Sequence, residues 1–79
     1  MTKEEKESFV VQFGEYVRIK REKLGLKQSD LAASMDVDQQ SISRMERGKV
    51  DPSLSWCNRL ADALKIPLNE LMQDFKPKK

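Results

Sequence analysis

The sequence has no histidine and only one cysteine, Cys57. It also has no glycine-rich phosphate loop and no set of residues at zinc-ligand spacing, so the residues from which catalytic and metal sites are usually built are missing. We therefore predict that the protein is not an enzyme and that it binds no metal and no cofactor. A single cysteine cannot form an internal disulfide, and nothing in the sequence requires an oxidising compartment.

Long apolar stretches are missing as well. No apolar run approaches the roughly 18–20 residues of a transmembrane helix, and residues 1–7 lack the apolar segment of a secretory signal. The 79 residues, of which 38% are apolar and 35% charged, fit one globular domain with a modest core. These features predict a cytoplasmic protein that does not contact a membrane.

A large excess of charge of one sign is lacking too, because the formal net charge is only +2. The charges are unevenly placed, however: residues 1–17 carry two Lys and four Glu, whereas residues 18–27 carry five cations and one Glu. Further cations cluster at Arg47 and Lys49 and at Lys76, Lys78 and Lys79. Such clusters can neutralise DNA phosphates if the fold brings them to one face, although solvated helix surface explains them at least as well.

Apolar residues recur at steps of three and four along the chain, which predicts five helices and no strand. The first helix begins with a capping box at Thr2 and Glu5 and ends near Gly25, which suits a left-handed cap. Gly14 within this helix predicts a bend or a close contact. The apolar face of the helix is predicted to consist of Phe9, Val10, Phe13 and Val17.

The next two predicted helices are short, at residues 28–35 and 39–47, with a tight turn between them. Asp38 is a good N-cap for the second of these helices, and Gly48 ends it. Their predicted core residues are Leu31, Ala32, Met35, Ile42 and Met45.

A fourth helix is predicted to begin with Asp51 as its cap and Pro52 at its first position. The Ile66-Pro67 step separates it from a short fifth helix. We expect Trp56, one step off the core face, to be half exposed. The predicted apolar residues of the two helices are Leu54, Cys57, Leu60, Ala61, Leu64, Leu68, Leu71 and Met72.

The two short helices and the turn between them have the proportions of a helix-turn-helix motif. Residues 25–32 (GLKQSDLA) and 37–49 (VDQQSISRMERGK) closely resemble the Cro/cI (XRE) family of DNA-binding domains, and the resemblance extends over roughly residues 13–72. It implies an all-α, five-helix Cro/cI-type (lambda repressor-like) DNA-binding domain with an extended N-terminal helix. Residues 1–12 are then an N-terminal helical extension, and residues 73–79 a basic C-terminal tail.

The resemblance also implies how DNA is read, because in this family the second helix of the motif enters the major groove. Gln39 and Gln40 lie at the start of that helix, where a glutamine can pair with adenine or donate to guanine. Ser43 and Arg44 share their face one turn later, and Arg44 is suited either to a guanine or to a phosphate. The expected phosphate contacts are Lys27, Gln28, Ser41, Arg47 and Lys49.

Two positions are assigned to bracing the motif. In the family an arginine late in the first helix pairs with the glutamate of a Glu-x-Gly segment, and these positions are Arg21 and Glu46 here. Glu46 is therefore excluded from the DNA contacts. The sequence departs from the family at Lys27, where Ser or Thr is the usual cap, and at Asp36, where glycine is usual.

Members of the family typically bind palindromic operators as two-fold dimers, with half-sites roughly 34 Å apart. The resemblance thus implies a homodimeric transcriptional regulator, with repression as its expected effect, that binds double-stranded DNA and needs no small-molecule ligand. The residues suited to the dimer interface are Ile66, Leu68 and Met72, although they fit an ordinary core as well. The alternative function is a protein-interaction module or an antitoxin-like protein on the same fold, for which Trp56 and the acidic N-terminus leave room.

Overall fold

A computed structural model describes residues 1–77, and these residues form five α-helices and no strand. The helices are α1 (Lys3–Lys23), α2 (Gln28–Met35), α3 (Gln39–Glu46), α4 (Leu54–Ala63) and α5 (Leu68–Asp74). The all-α, five-helix prediction is confirmed, and α1 continues without interruption across the predicted boundary between residues 12 and 13. Lys78 and Lys79 of the predicted basic tail lie outside the described residues. None of the helices in the described part has the length and apolarity needed to span a bilayer.

Side-chain hydrogen bonds close the starts of the first four helices. The predicted capping box is present at α1, where the Thr2 hydroxyl accepts from the Glu5 backbone N–H and the Glu5 carboxylate accepts from the Thr2 N–H. At α2 the N-cap position is occupied by Lys27 and not by Ser or Thr. The side chain of Asp30, in the first turn of the helix, supplies a capping bond instead, because its carboxylate accepts from the Lys27 backbone N–H at 2.8 Å. These bonds satisfy amide groups that a helix start otherwise leaves without partners.

Left-handed residues end the first four helices and let the chain turn within three to seven residues. Gly25 has the positive φ of its predicted left-handed cap, 72°, and Asp36 and Gly48 also have positive φ values, 55° and 72°. Lys65, with φ of 63°, ends α4 in the same way and was not predicted, because lysine is not a residue that favours this conformation.

The core lies where α1 to α5 meet and contains nearly all the predicted residues. Six of its side chains, from all five helices, have no exposed surface: Val17, Leu31, Ile42, Leu60, Ala61 and Leu71. The prediction that Cys57 is a buried apolar residue is confirmed as well. This continuous core holds the short helices α2 and α3, which are too short to be stable alone.

Three sequence predictions at helix surfaces and ends are wrong. Leu54 is 71% exposed because α4 begins at that residue, with Ser53 and not Asp51 as its N-cap. Phe9 is 38% exposed because the buried face of α1 runs through its neighbour Val10; the Phe9 ring packs edge-to-face on Phe75. The helix predicted at residues 39–47 ends one residue earlier, at Glu46.

Two close approaches set α1 against α3. A Cβ atom on Gly14 would lie 2.3 Å from the carbonyl oxygen of Met45 and 2.7 Å from that of Glu46, so the two helix backbones touch. A Cβ atom on Gly48, just after α3, would lie 2.6 Å from Cγ2 of Val11. Of the two possibilities predicted for Gly14, the structure shows the close contact. Helix α1 therefore fixes the position of the C-terminal end of α3.

Candidate nucleic-acid interface

The start of α3 is held by a carboxylate cap. Oδ1 of Asp38 accepts from the Ser41 backbone N–H at 2.8 Å and from the Ser41 hydroxyl at 3.0 Å. These two bonds, with a smaller contribution from the positive charge of Arg44, lower the pKa of Asp38 below its ordinary value. Because Ile42 and Met45 are buried on the opposite side, the helix has a fixed outward face.

The outward face of α3 carries the residues predicted to contact bases. Gln39, Gln40 and Arg44 are exposed, and Ser43 is half-buried beside them. Nη2 of Arg44 donates to Oε1 of Gln40 at 3.1 Å, a bond between residues one helical turn apart. The four predicted base-contacting residues thus lie on one side of α3, and two of them already contact each other.

Of the residues predicted to contact phosphates, Lys27 directly precedes α2, and Arg47 and Lys49 follow the end of α3. Lys27, Arg47 and Lys49 are exposed, and Nε of Arg47 donates to the carbonyl of Ser43 near the end of α3. The Ser41 hydroxyl gives its hydrogen to Asp38, so a phosphate contact from Ser41 requires the exchange of that bond.

A buried ion pair joins α1 to the end of α3. Nε and Nη2 of Arg21 donate to the two carboxylate oxygens of Glu46 at 2.7 and 3.1 Å, with Arg21 8% and Glu46 7% exposed. Nη1 of Arg21 donates to the Leu26 carbonyl at 2.7 Å, which ties in the turn before α2. Hydrogen bonding to Glu46 is the main reason that the pKa of Arg21 is raised. The paired side chains therefore brace both helices of the motif.

Gln28 joins the same network, which the sequence did not reveal. Its Nε2 donates to Oε1 of Glu46 at 3.0 Å, so the start of α2 lies beside the end of α3. One of the two amide hydrogens of Gln28 is used in this bond, and the other is available for the predicted phosphate contact. Gln28 is half-buried, in keeping with this position between the helices.

The basic segment at residues 18–27 is largely neutralised by the fold. Arg18 contacts Glu15 and Glu22 at 2.8 and 2.9 Å, and Lys20 contacts Asp74 at 3.0 Å. Arg21 is paired with Glu46, so three of the five cations predicted as a cluster are in ion pairs. The segment does not form one cationic surface, and Lys23 and Lys27 are its cations without an ion pair in the part of the chain that is described.

A cleft beside Arg44 was not predicted. It lies between α3 and the start of α4, and the half-exposed indole of Trp56 forms part of its wall, which confirms the expected partial exposure of that residue. The one signal for this region in the sequence was the position of Trp56, one step off the core face of α4. The lining residues are Ser41, Arg44, Val50, Asp51, Pro52, Ser53 and Trp56.

Residues 1–77 contain no group of three or more His, Cys, Asp or Glu side chains placed to hold a metal ion. The single thiol lies inside the protein, where burial is the main cause that raises the pKa of Cys57. Cys57 is therefore a neutral thiol at pH 7 and not a nucleophile poised to react.

Comparison with known proteins gives matches over most of the chain. A family model described as helix-turn-helix matches residues 17–71. The chain is 42% identical over 48 residues to an uncharacterized HTH-type transcriptional regulator from Methanothermobacter thermautotrophicus, covering 61% of this chain and 70% of the relative. It is 33% identical over 67 residues to the control protein C.MunI from a Mycoplasma species, covering 84% of this chain and 90% of the relative.

A solved structure is similar in both sequence and fold. The restriction-modification controller protein C.AhdI from Aeromonas hydrophila superposes with a TM-score of 0.74 at 37% identity, over 78% of this chain and 94% of that one. The region matched by the family model contains α2, α3 and α4 in full, and it includes both members of the Arg21–Glu46 pair.

Proposed function

Because this chain belongs to the helix-turn-helix family of Cro/cI (XRE) type, whose members are DNA-binding transcriptional regulators, we propose that it represses transcription as a homodimer bound to a palindromic operator. The observation that carries the proposal is the outward face of α3. Its buried side is anchored by Ile42 and Met45, so the exposed amides at its start are presented by a rigid helix. Rigid presentation is what base readout in the major groove requires.

We assign base contacts to the outward face of α3 and phosphate contacts to its edges. Gln39, Gln40 and Arg44 are exposed there, and Ser43 is half-buried and reaches the bases only at close approach. The phosphate contacts are assigned to Lys27, Gln28, Arg47 and Lys49, with Ser41 as a further contact if its hydroxyl leaves Asp38.

For the homodimer, exposed apolar side chains around one groove support a second copy of the chain as the partner. Met72 is 41% exposed and lines this groove together with two further exposed apolar side chains, Leu54 and Phe9. Ile66 and Leu68 pack partly against the core, so we assign them a smaller share of the interface than Met72. Covering such a patch is a common reason for association of small domains.

Two relatives favour a specific setting for this regulator. C.MunI is called a control protein and C.AhdI a restriction-modification controller protein, and each is matched over at least 90% of its own length. We propose that this chain likewise controls a restriction-modification system. The operator is then expected beside restriction and modification genes.

Selection of bound duplexes from a random DNA pool tests the proposal. An inverted repeat with half-site centres about 34 Å apart is expected. A protein that retains no duplex at any salt concentration would overturn the function and favour a protein-interaction role. A monomeric mass at micromolar concentration, both free and on DNA, would contradict the homodimer.

Two variants separate base contacts from phosphate contacts on the selected site. Gln39→Ala is expected to lose about 1–3 kcal/mol of binding free energy on the operator and little on random DNA. Lys49→Ala is expected to weaken binding to all sequences and to reduce the slope of log K against log salt by about one unit. Lys76→Ala, which removes the same charge after α5, is the matched control and should change the slope less. Equal losses on operator and random DNA for Gln39→Ala would contradict base reading.

A further inference from the structure

The exposed carboxylate of Asp51 lies close to residues to which DNA contacts are assigned. Asp51 follows Lys49 by two residues and lines the cleft beside Arg44. It caps no helix, because Ser53 is the N-cap of α4. A negative charge at this place repels phosphates, so binding of DNA through this surface is favoured if the charge is neutralised.

Lys6, near the start of α1, supplies the opposite charge. Its Nζ lies 3.3 Å from Oδ2 of Asp51, and this is the one ion pair that Asp51 forms within residues 1–77. The side chains of Lys6 and Asp51 are 61% and 55% exposed, so the pair adds little to the stability of the fold. Its main effect is on the charge of the surface around Asp51.

Helix α1 is held against the chain that carries Lys49 and Asp51. A Cβ atom on Gly48 would lie 2.6 Å from Cγ2 of Val11, which is five residues after Lys6 on the same helix. The helix-turn-helix family model begins only at residue 17. The ion pair therefore joins a part of α1 outside the matched region to a residue within it.

A cleft between the start of α1 and residues 48–51 shows what Lys6 does to the local charge. Its charged lining residues are Lys3, Lys6, Glu7, Lys49 and Asp51, which together carry a net charge of +1. Without Lys6 this net charge would be zero, and the carboxylate of Asp51 would oppose the cation of Lys49. Lys6 thus keeps this surface attractive to an anion.

We propose that Lys6 neutralises Asp51 so that the chain around Lys49 can approach a DNA phosphate. The N-terminal helical extension then has a function in DNA binding, although it lies outside the helix-turn-helix motif. Lys6 acts through Asp51 and is not itself assigned a phosphate contact. This inference rests on the proposed function, because it concerns the phosphate contact assigned to Lys49.

The test compares binding to the operator and to a random duplex at an ionic strength of about 0.05 M, where surface charges are weakly screened. Lys6→Ala should bind both duplexes about 2- to 10-fold more weakly, because an unbalanced charge near phosphates repels them through water. The double variant Lys6→Ala/Asp51→Asn removes both charges and should bind within about 2-fold of the wild type. Lys20→Ala, which breaks the ion pair with Asp74 outside both clefts, is the matched control and should change affinity by less than about 2-fold.

Trp56 provides a second measurement, because it is the only tryptophan and lines the cleft beside Arg44 together with Asp51. Binding of DNA should change the fluorescence of the wild type and protect the indole from quenching by acrylamide. Thermal unfolding checks that each variant is folded, and the midpoint of Lys6→Ala should move little because the pair is exposed.

The inference is overturned if the double variant binds as weakly as Lys6→Ala, since Lys6 would then contact DNA itself or hold the fold. It is also overturned if Lys6→Ala binds like the wild type, or if bound DNA leaves the fluorescence of Trp56 unchanged. In those cases the protein still binds DNA and the proposed function stands. A wild-type protein that retains no duplex overturns both.

Discussion

Gly14→Ala tests the contact between α1 and α3. A methyl group at this position begins 2.3 Å from the Met45 carbonyl oxygen, and α3 must move by about 1 Å before ordinary contact at 3.4 Å is reached. That movement is opposed because the Met45 side chain is only 1% exposed and Glu46 is held by Arg21. Overpacking of this kind costs up to about 3 kcal/mol. Alanine regains about 1 kcal/mol through its higher helix propensity. We expect a net loss of about 2 kcal/mol in the free energy of unfolding.

The loss is measured by urea unfolding at constant pH and by the thermal midpoint. For a domain of this size, 2 kcal/mol corresponds to a decrease in Tm of about 8–16 °C. Gly25→Ala is the matched control, because Gly25 has a positive φ but no atom within 4 Å of an added Cβ. It should lose only about 1 kcal/mol, from backbone strain. A Gly14→Ala variant as stable as the wild type, or more stable, would refute the close approach of the two backbones.

Three further predictions concern single side chains. Glu46→Gln leaves the buried charge of Arg21 without its partner and should lower the free energy of unfolding by about 3 kcal/mol in urea titrations, whereas replacing both residues by methionine should cost less. The pKa of Asp38 is lowered in the folded state, so its contribution to stability is present above its ordinary pKa of 3.8 and is lost as the pH falls through the lowered pKa. The Tm deficit of Asp38→Ala relative to the wild type should therefore shrink only below about pH 4. An equal deficit at pH 7 and pH 2 would contradict this. Burial raises the pKa of Cys57, so iodoacetamide at pH 8 should alkylate the native protein far more slowly than the protein in guanidinium chloride, and equal rates would contradict its burial.

The helices could be predicted because their core residues recur at helical spacing and their ends carry local signals. The start of α4 was misplaced because Asp51 and Ser53 are both good N-caps, and the choice between them depends on a distant residue. Asp51 contacts Lys6 of α1 at 3.3 Å, and Ser53 instead accepts from the Trp56 N–H. A contact between residues 45 positions apart cannot be read from local sequence.

The site was predictable to a similar degree. The outward position of Gln39 and Gln40 follows from the N-cap at Asp38 and the buried residues that come after it. The Gln40–Arg44 bond has the i, i+4 spacing of a helix pair and could have been anticipated. The contact of Gln28 with Glu46 depends on how two helices pack, so local sequence alone does not predict it.

The short connections between the helices also have a consequence in time. Chains whose contacts are mostly local fold within microseconds to milliseconds, because little entropy is lost in closing short loops. Synthesis of 79 residues, at about 5–20 residues per second, takes about 4–16 s. Folding therefore adds no delay to the supply of active regulator. If the protein acts as a dimer, the slow step after synthesis is the encounter of two chains, whose rate rises with the square of their concentration.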